Sequence, residues 1–152
     1  MELLLKRENY LAVRTLWIHF MKKGEPLYIS YLTFANAAYL LKKGRDKEQL
    51  HELMRKVHKH AKVLSMNERQ IKALLKCPPV RDFEDLLQYQ CAKDNHCDSI
   101  VTFNKKDYYF ADDITILTRE EFIGQLSEED LSTPIETQYK IKTKTNFFSI
   151  NF

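Results

Sequence analysis

Hydrophobic positions change their period several times along the chain, and each change marks an element. Tyr10, Val13, Trp17 and Phe20 recur at steps of three or four between Asn9 and Gly24, which predicts an amphipathic helix with an aromatic stripe. Leu27-Tyr28-Ile29 is a short β-prone run. From Ser30 to Lys43 good helix formers take over, and Gly44 supplies the stop. Asp46 caps a third helix carrying Leu50, Leu53, Met54, Val57 and Ala61, whose other face is crowded with Lys, Arg and His and belongs in water. Lys62 to Met66 reads as a strand, Asn67 caps a short helix through Leu75, and Cys77-Pro78-Pro79 breaks the chain.

Beyond the break, Asp82-Phe83-Glu84-Asp85 opens a helix with Phe83, Leu86, Leu87, Gln90 and Cys91 expected inside. Ser99 to Phe103 is apolar and β-branched, as in a strand buried on both faces, and it ends at Asn104. Ile114 to Leu117 is a second such strand, followed by the capping box Thr118-Arg119-Glu120-Glu121 and a helix with Phe122 and Leu126 inside. Strands alternate with helices, so the expectation is an α/β domain with a mainly parallel sheet and right-handed crossovers. Residues 131–152 lose the helical period and are rich in Thr, Lys and aromatics, which gives them strand character. Their rings must be buried against their own domain or a neighbouring chain. The expected division is a domain over 1–126 and a tail over 127–152.

Composition adds limits rather than a function. With 152 residues, 44% hydrophobic, 30% charged and only 3 Gly, the chain can build one core, and disordered or collagen-like classes are excluded. A net charge of +3 permits contact with nucleic acid without naming it. The longest uncharged stretch, Pro26 to Leu41, is shorter than the ~20 residues of a membrane helix and contains Ser30, Thr33 and Asn36. Nothing near Met1 resembles a secretory signal, so the expected location is cytoplasmic with no membrane contact. Cys77, Cys91 and Cys97 form no C-x-x-C pair and read as reduced thiols.

Ligands of open parallel sheets sit beyond the carboxyl ends of the strands, so acids placed there are the candidate ligands. Asp82 and Asp85 lie three apart on one helical face, while Asn104 and Asp107 follow the strand that begins at Ser99. Clustered carboxylates repel unless a cation neutralises them, and hard oxygen donors suit Mg²⁺ or Mn²⁺. The same acids also suit a helix N-cap and first turn, a purely structural role. Arg81, Lys105 and Lys106 flank them, either to hold a phosphate backbone or to keep the surface soluble. Tyr108 and Tyr109 can stack on bases or pack beneath the loop. His51-Glu52 lacks the second His of a zincin, and Cys91, His96 and Cys97 lack a fourth zinc ligand.

Three stretches taken together resemble the C-terminal half of PIN-domain proteins: Asp82 to Tyr89, Asp98 to Tyr108, and Ile116 to Phe122. Upstream, Leu3-Leu4-Leu5-Lys6-Arg7-Glu8 and Tyr28 to Asn36 resemble the same family's first helix and second strand-helix unit. The resemblance implies a three-layer α/β/α domain and, in active members, an Mg²⁺-dependent endoribonuclease, often the toxin of a bacterial toxin–antitoxin pair. It assigns metal binding to Asp85, Asn104, Asp107 and Asn36 and catalysis to Asp85, Asp107 and Asp82; the flanking Arg81, Lys105 and Lys106 are, by position alone, the candidate RNA contacts. In the family a short strand ending in Asp-Thr-Asn precedes the segment matching Leu3 to Arg7, and it lies between the strands matching Tyr28 and Ile100. The sequence begins at Met1, so that strand and its principal acid are expected to be missing or replaced, with the tail as candidate. Two functions follow: a ribonuclease whose site is incomplete in this chain and active if the first-strand acid lies upstream of Met1, or a non-catalytic module that binds RNA or a protein partner, with an antitoxin and a homodimer as further expected partners.

Overall fold

The computed structural model describes residues 27–126 and the backbone of 146–148. The helix expected between Asn9 and Gly24, and the remainder of the tail, lie outside the described residues.

Strand β1 (Leu27–Ser30) runs directly into helix α1 (Tyr31–Leu41), because the Ser30 hydroxyl accepts from the Thr33 amide at 2.9 Å and caps the helix at once. Gly44 then turns the chain at φ 73°, a conformation an L side chain resists. Helix α2 (Lys47–His60) starts on a reciprocal Asp46/Gln49 capping box and passes without a loop into β2 (Ala61–Leu64). Helix α3 (Glu68–Leu74) starts on an Asn67/Gln70 box, and α4 (Phe83–Asp94) follows the Pro-Pro break. Strand β3 (Ser99–Thr102) leads to a 3₁₀ turn over Lys105–Tyr108, and β4 (Thr115–Thr118) to α5 (Arg119–Gln125) through the expected Thr118/Glu121 box. The last strand, β5, is Asn146–Phe148.

All pairings are parallel, in the order β2-β1-β5-β3-β4. Tyr28 and Ile100 both register with Phe147, and Ile29 and Val101 with Phe148, so the place between β1 and β3 is held by a segment of the tail. Alternation along the strands divides the interior in two. Leu27, Ile29, Val101 and Leu117 face one side with Phe34, Val57 and Phe122 of α1, α2 and α5. Tyr28, Ile100 and Ile116 face the other with Tyr89 and Ala92 of α4, Tyr108 and Phe110. The architecture is therefore the expected α/β/α sandwich.

Three local expectations need correction. The second strand begins at Ala61 and ends at Leu64, not Met66, because α2 hands over to it directly. Phe103 lies past the end of β3 and is 41% exposed, and Phe83, the first helical residue of α4, is 43% exposed. The buried stripe of α4 is Asp85, Leu86, Gln88, Tyr89, Cys91 and Ala92, with Gln90 only half-buried; polar residues occupy positions that hydrophobicity alone assigned to solvent.

Candidate active site

Parallel strands deliver their carboxyl ends to one edge. There β1 departs towards β2 and β3 towards β4, with β5 between them, the switch of direction at which open parallel sheets bind their ligands. Helix α4 runs back to feed β3, so its first turn returns to the same edge. Asp82 is its N-cap, accepting from the Glu84 amide at 2.8 Å and the Asp85 amide at 3.4 Å. Asp85, the third residue of the helix, is only 1% exposed. Asn104 and Asp107 come from the turn after β3 and are joined by a hydrogen bond from the Asn104 amide to the Asp107 carboxylate. Arg81 lies 3.7 Å from the other Asp107 oxygen.

These groups share one electrostatic environment. Burial raises the Asp85 carboxyl to about 6, and the nearby charges of Asp82 and Asp107 push in the same direction, against a hydrogen bond from the Tyr108 side chain. Glu84 is raised as well, by burial first and by Asp82 second, while Asn36 from α1 opposes the shift by donating to it at 3.1 Å. Asn36 thus meets Glu84, an acid to which the sequence reading gave no role. Lys105 binds both Glu121 oxygens at 2.9 Å and so ties the turn to α5, whereas Lys106 is exposed. Tyr108 is buried and Tyr109 is 60% exposed, which divides the two options that adjacent tyrosines leave open. Beneath the site, Gln88 donates to Thr33 at 3.0 Å, and the Ser30 hydroxyl donates to the same Thr33 oxygen at 3.2 Å. This polar link between α1 and α4 was missed; a polar Asp85, Gln88 stripe at helical spacing is the signal that points to it.

Burial pushes the thiols of Cys91 and Cys97 up to about 12 and about 11, so they stay protonated in the core. The oxygen donors fit a hard cation better: a buried carboxyl crowded by two others is relieved by positive charge, and Mg²⁺ needs only one or two carboxylates while it keeps its waters. A closed protein cage does not fit, since no group of three His, Cys, Asp or Glu among the described residues is arranged to hold a metal ion. No helix among the described residues is long and apolar enough to cross a membrane.

A PIN domain family model matches residues 1–106. The chain belongs to the PIN domain family, whose members have a nuclease-type α/β fold and generally use divalent metal ions and bind RNA. No curated protein and no solved structure matches it.

Proposed function

We propose that this PIN domain acts on RNA as an Mg²⁺- or Mn²⁺-dependent ribonuclease of the toxin kind, with an acid cluster short of one carboxylate. The observation that carries the reading is Asp85, a carboxyl buried to 1% exposure and raised to about 6 with Asp82 and Asp107 beside it. Such repulsion is costly in a fold that has no use for a cation. In this reading Asp85 and Asp107 hold the ion, Asn104 and Arg81 fix the orientation of Asp107, and Asp82 adds charge while capping α4. Asn36 steadies Glu84 at the rim, and Arg81, Lys105 and Lys106 receive the phosphate backbone. The bound cation would activate water and stabilise charge on the scissile phosphate. Strand β5 takes the place of the family's first strand, in keeping with its position between β1 and β3. Residues from Asn146 to Phe152 include no Asp or Glu, and Ser149 follows β5, so slow cleavage is expected. A toxin of this kind works in the cytoplasm and has an antitoxin protein as partner.

That no three His, Cys, Asp or Glu among the described residues are arranged to hold a metal ion favours a second reading, a non-catalytic module that binds RNA or a protein. Titration calorimetry with Mn²⁺ at pH 8, paired with cleavage of an end-labelled single-stranded RNA, separates the two. Weak Mn²⁺ binding and slow cleavage, both lost in Asp85→Asn, support the nuclease. RNA binding without either supports the module, and failure to bind metal or RNA overturns both.

A further inference from the structure

The turn that carries Asn104 and Asp107 is bracketed by two exposed rings. Phe103 immediately precedes Asn104 and is 41% exposed; Tyr109 follows Asp107 by two residues and is 60% exposed. Large apolar side chains at a strand end are normally covered, and these two are instead each backed by a guanidinium. Arg119 lies 5.3 Å from the Phe103 ring centre and Arg81 lies 5.7 Å from that of Tyr109. The tyrosine is also held in place, because its hydroxyl accepts from the Arg81 amide at 3.1 Å and its ring meets Phe110 edge-on at 5.5 Å.

Resting on the RNA reading above, we infer that Phe103 and Tyr109 are stacking platforms for two unpaired bases, one on each side of the phosphate addressed by the acid cluster. Every base has a π face, so the contact selects unstacked strands rather than a sequence. Six positions separate Phe103 from Tyr109, with the 3₁₀ turn Lys105–Tyr108 between them. A base laid on either ring must leave its own stack, and a paired duplex cannot comply. Each guanidinium also pairs with an acid, Arg81 with Asp107 and Arg119 with Glu120, so both are anchored where they meet the rings.

The test is fluorescence anisotropy with an eight-nucleotide single-stranded RNA in EDTA, where cleavage is blocked. Phe103→Ala and Tyr109→Ala are each expected to weaken binding roughly 5-fold to 100-fold, while Tyr109→Phe and Phe103→Tyr keep it. Phe103→Leu retains apolar volume without a π face and is expected to behave like the alanine variant even if the latter folds poorly. An RNA with abasic positions at its centre should bind weakly and be indifferent to both alanine substitutions. Unchanged affinity in Phe103→Ala, Phe103→Leu and Tyr109→Ala overturns the platforms alone, and Asp85→Asn that loses cleavage but keeps this binding leaves them standing. No binding by the unaltered chain overturns the platforms and the RNA reading together.

Discussion

Asn36 donates its side-chain amide to Glu84 across 3.1 Å, joining the second turn of α1 to the first turn of α4 at the rim of the acid cluster. The bond uses the nitrogen end of the amide, whereas the expected role as a metal ligand would use the oxygen end.

Replacing that donor with an acceptor tests the relationship. Asn36→Asp sets a second carboxylate against Glu84, whose carboxyl is already raised by burial and by Asp82. The variant is expected to lose about 1–2 kcal/mol of stability at pH 8 in EDTA, and to recover part of it with Mn²⁺. A urea midpoint unchanged from the parent in both conditions would refute this.

Asp85 makes stability depend on pH in a direction opposite to that of a salt-bridged acid. Its folded value of about 6 lies above the ordinary 3.8, so the folded state holds an extra proton between them. Stability is therefore greatest below about pH 4 for this group and falls as pH rises through about 6, by on the order of 3 kcal/mol at full effect. Asp85→Asn, which keeps the shape and removes the charge, should unfold at higher urea than the parent at pH 8 and at a similar concentration at pH 4. A constant difference across that range would mean that Asp85 ionises freely.

The buried link of Thr33 and Gln88 gives an asymmetric pair of variants. Thr33→Val strands the Gln88 amide, whose oxygen has no hydrogen-bond partner among the described residues. Gln88→Leu removes the stranded group altogether. The expected loss is about 1–3 kcal/mol for Thr33→Val and less for Gln88→Leu, with the double variant less damaged than the sum. Chemical denaturation of the four proteins decides it, and equal single losses that add would argue against the link.

Removing residues 131–152 takes away β5 and leaves the facing backbones of β1 and β3 without the strand that pairs with both. The truncated chain should lose its cooperative melting transition or self-associate to refill the gap. Circular dichroism with size-exclusion chromatography reads both, and an unchanged melting temperature with unchanged elution would remove β5 from the fold's essential parts.

Much of the frame was legible because its signals are local. Asp46, Asn67 and Thr118 are capping boxes, and the step from Ser30 into α1 is written in adjacent residues. The apolar run at Ser99 marks a strand covered on both faces, as its full burial bears out. What escaped were relationships between distant segments. Glu84 looks like any first-turn acid until Asn36, 48 positions away, is found bonded to it, and Gln88 looks like a surface amide until α1 covers it. Phe103 continues an apolar strand on paper, yet the backbone leaves the sheet one residue earlier and turns the ring outward.

The central position of β5 also sets the order in which this molecule can be assembled. Strands β1 and β3 each have a neighbour on their outer side from segments close in sequence, but their inner sides wait for residues 146–148, the last described element to leave a ribosome. Until then two half-sheets exist with open inner edges, and the registers Ile29 with Phe148 and Val101 with Phe148 form only through long-range closure. Folding of the acid-bearing edge is thereby postponed until residues 146–148 have been made, so that the nascent chain displays two unpaired strand edges to any chaperone or sibling chain nearby.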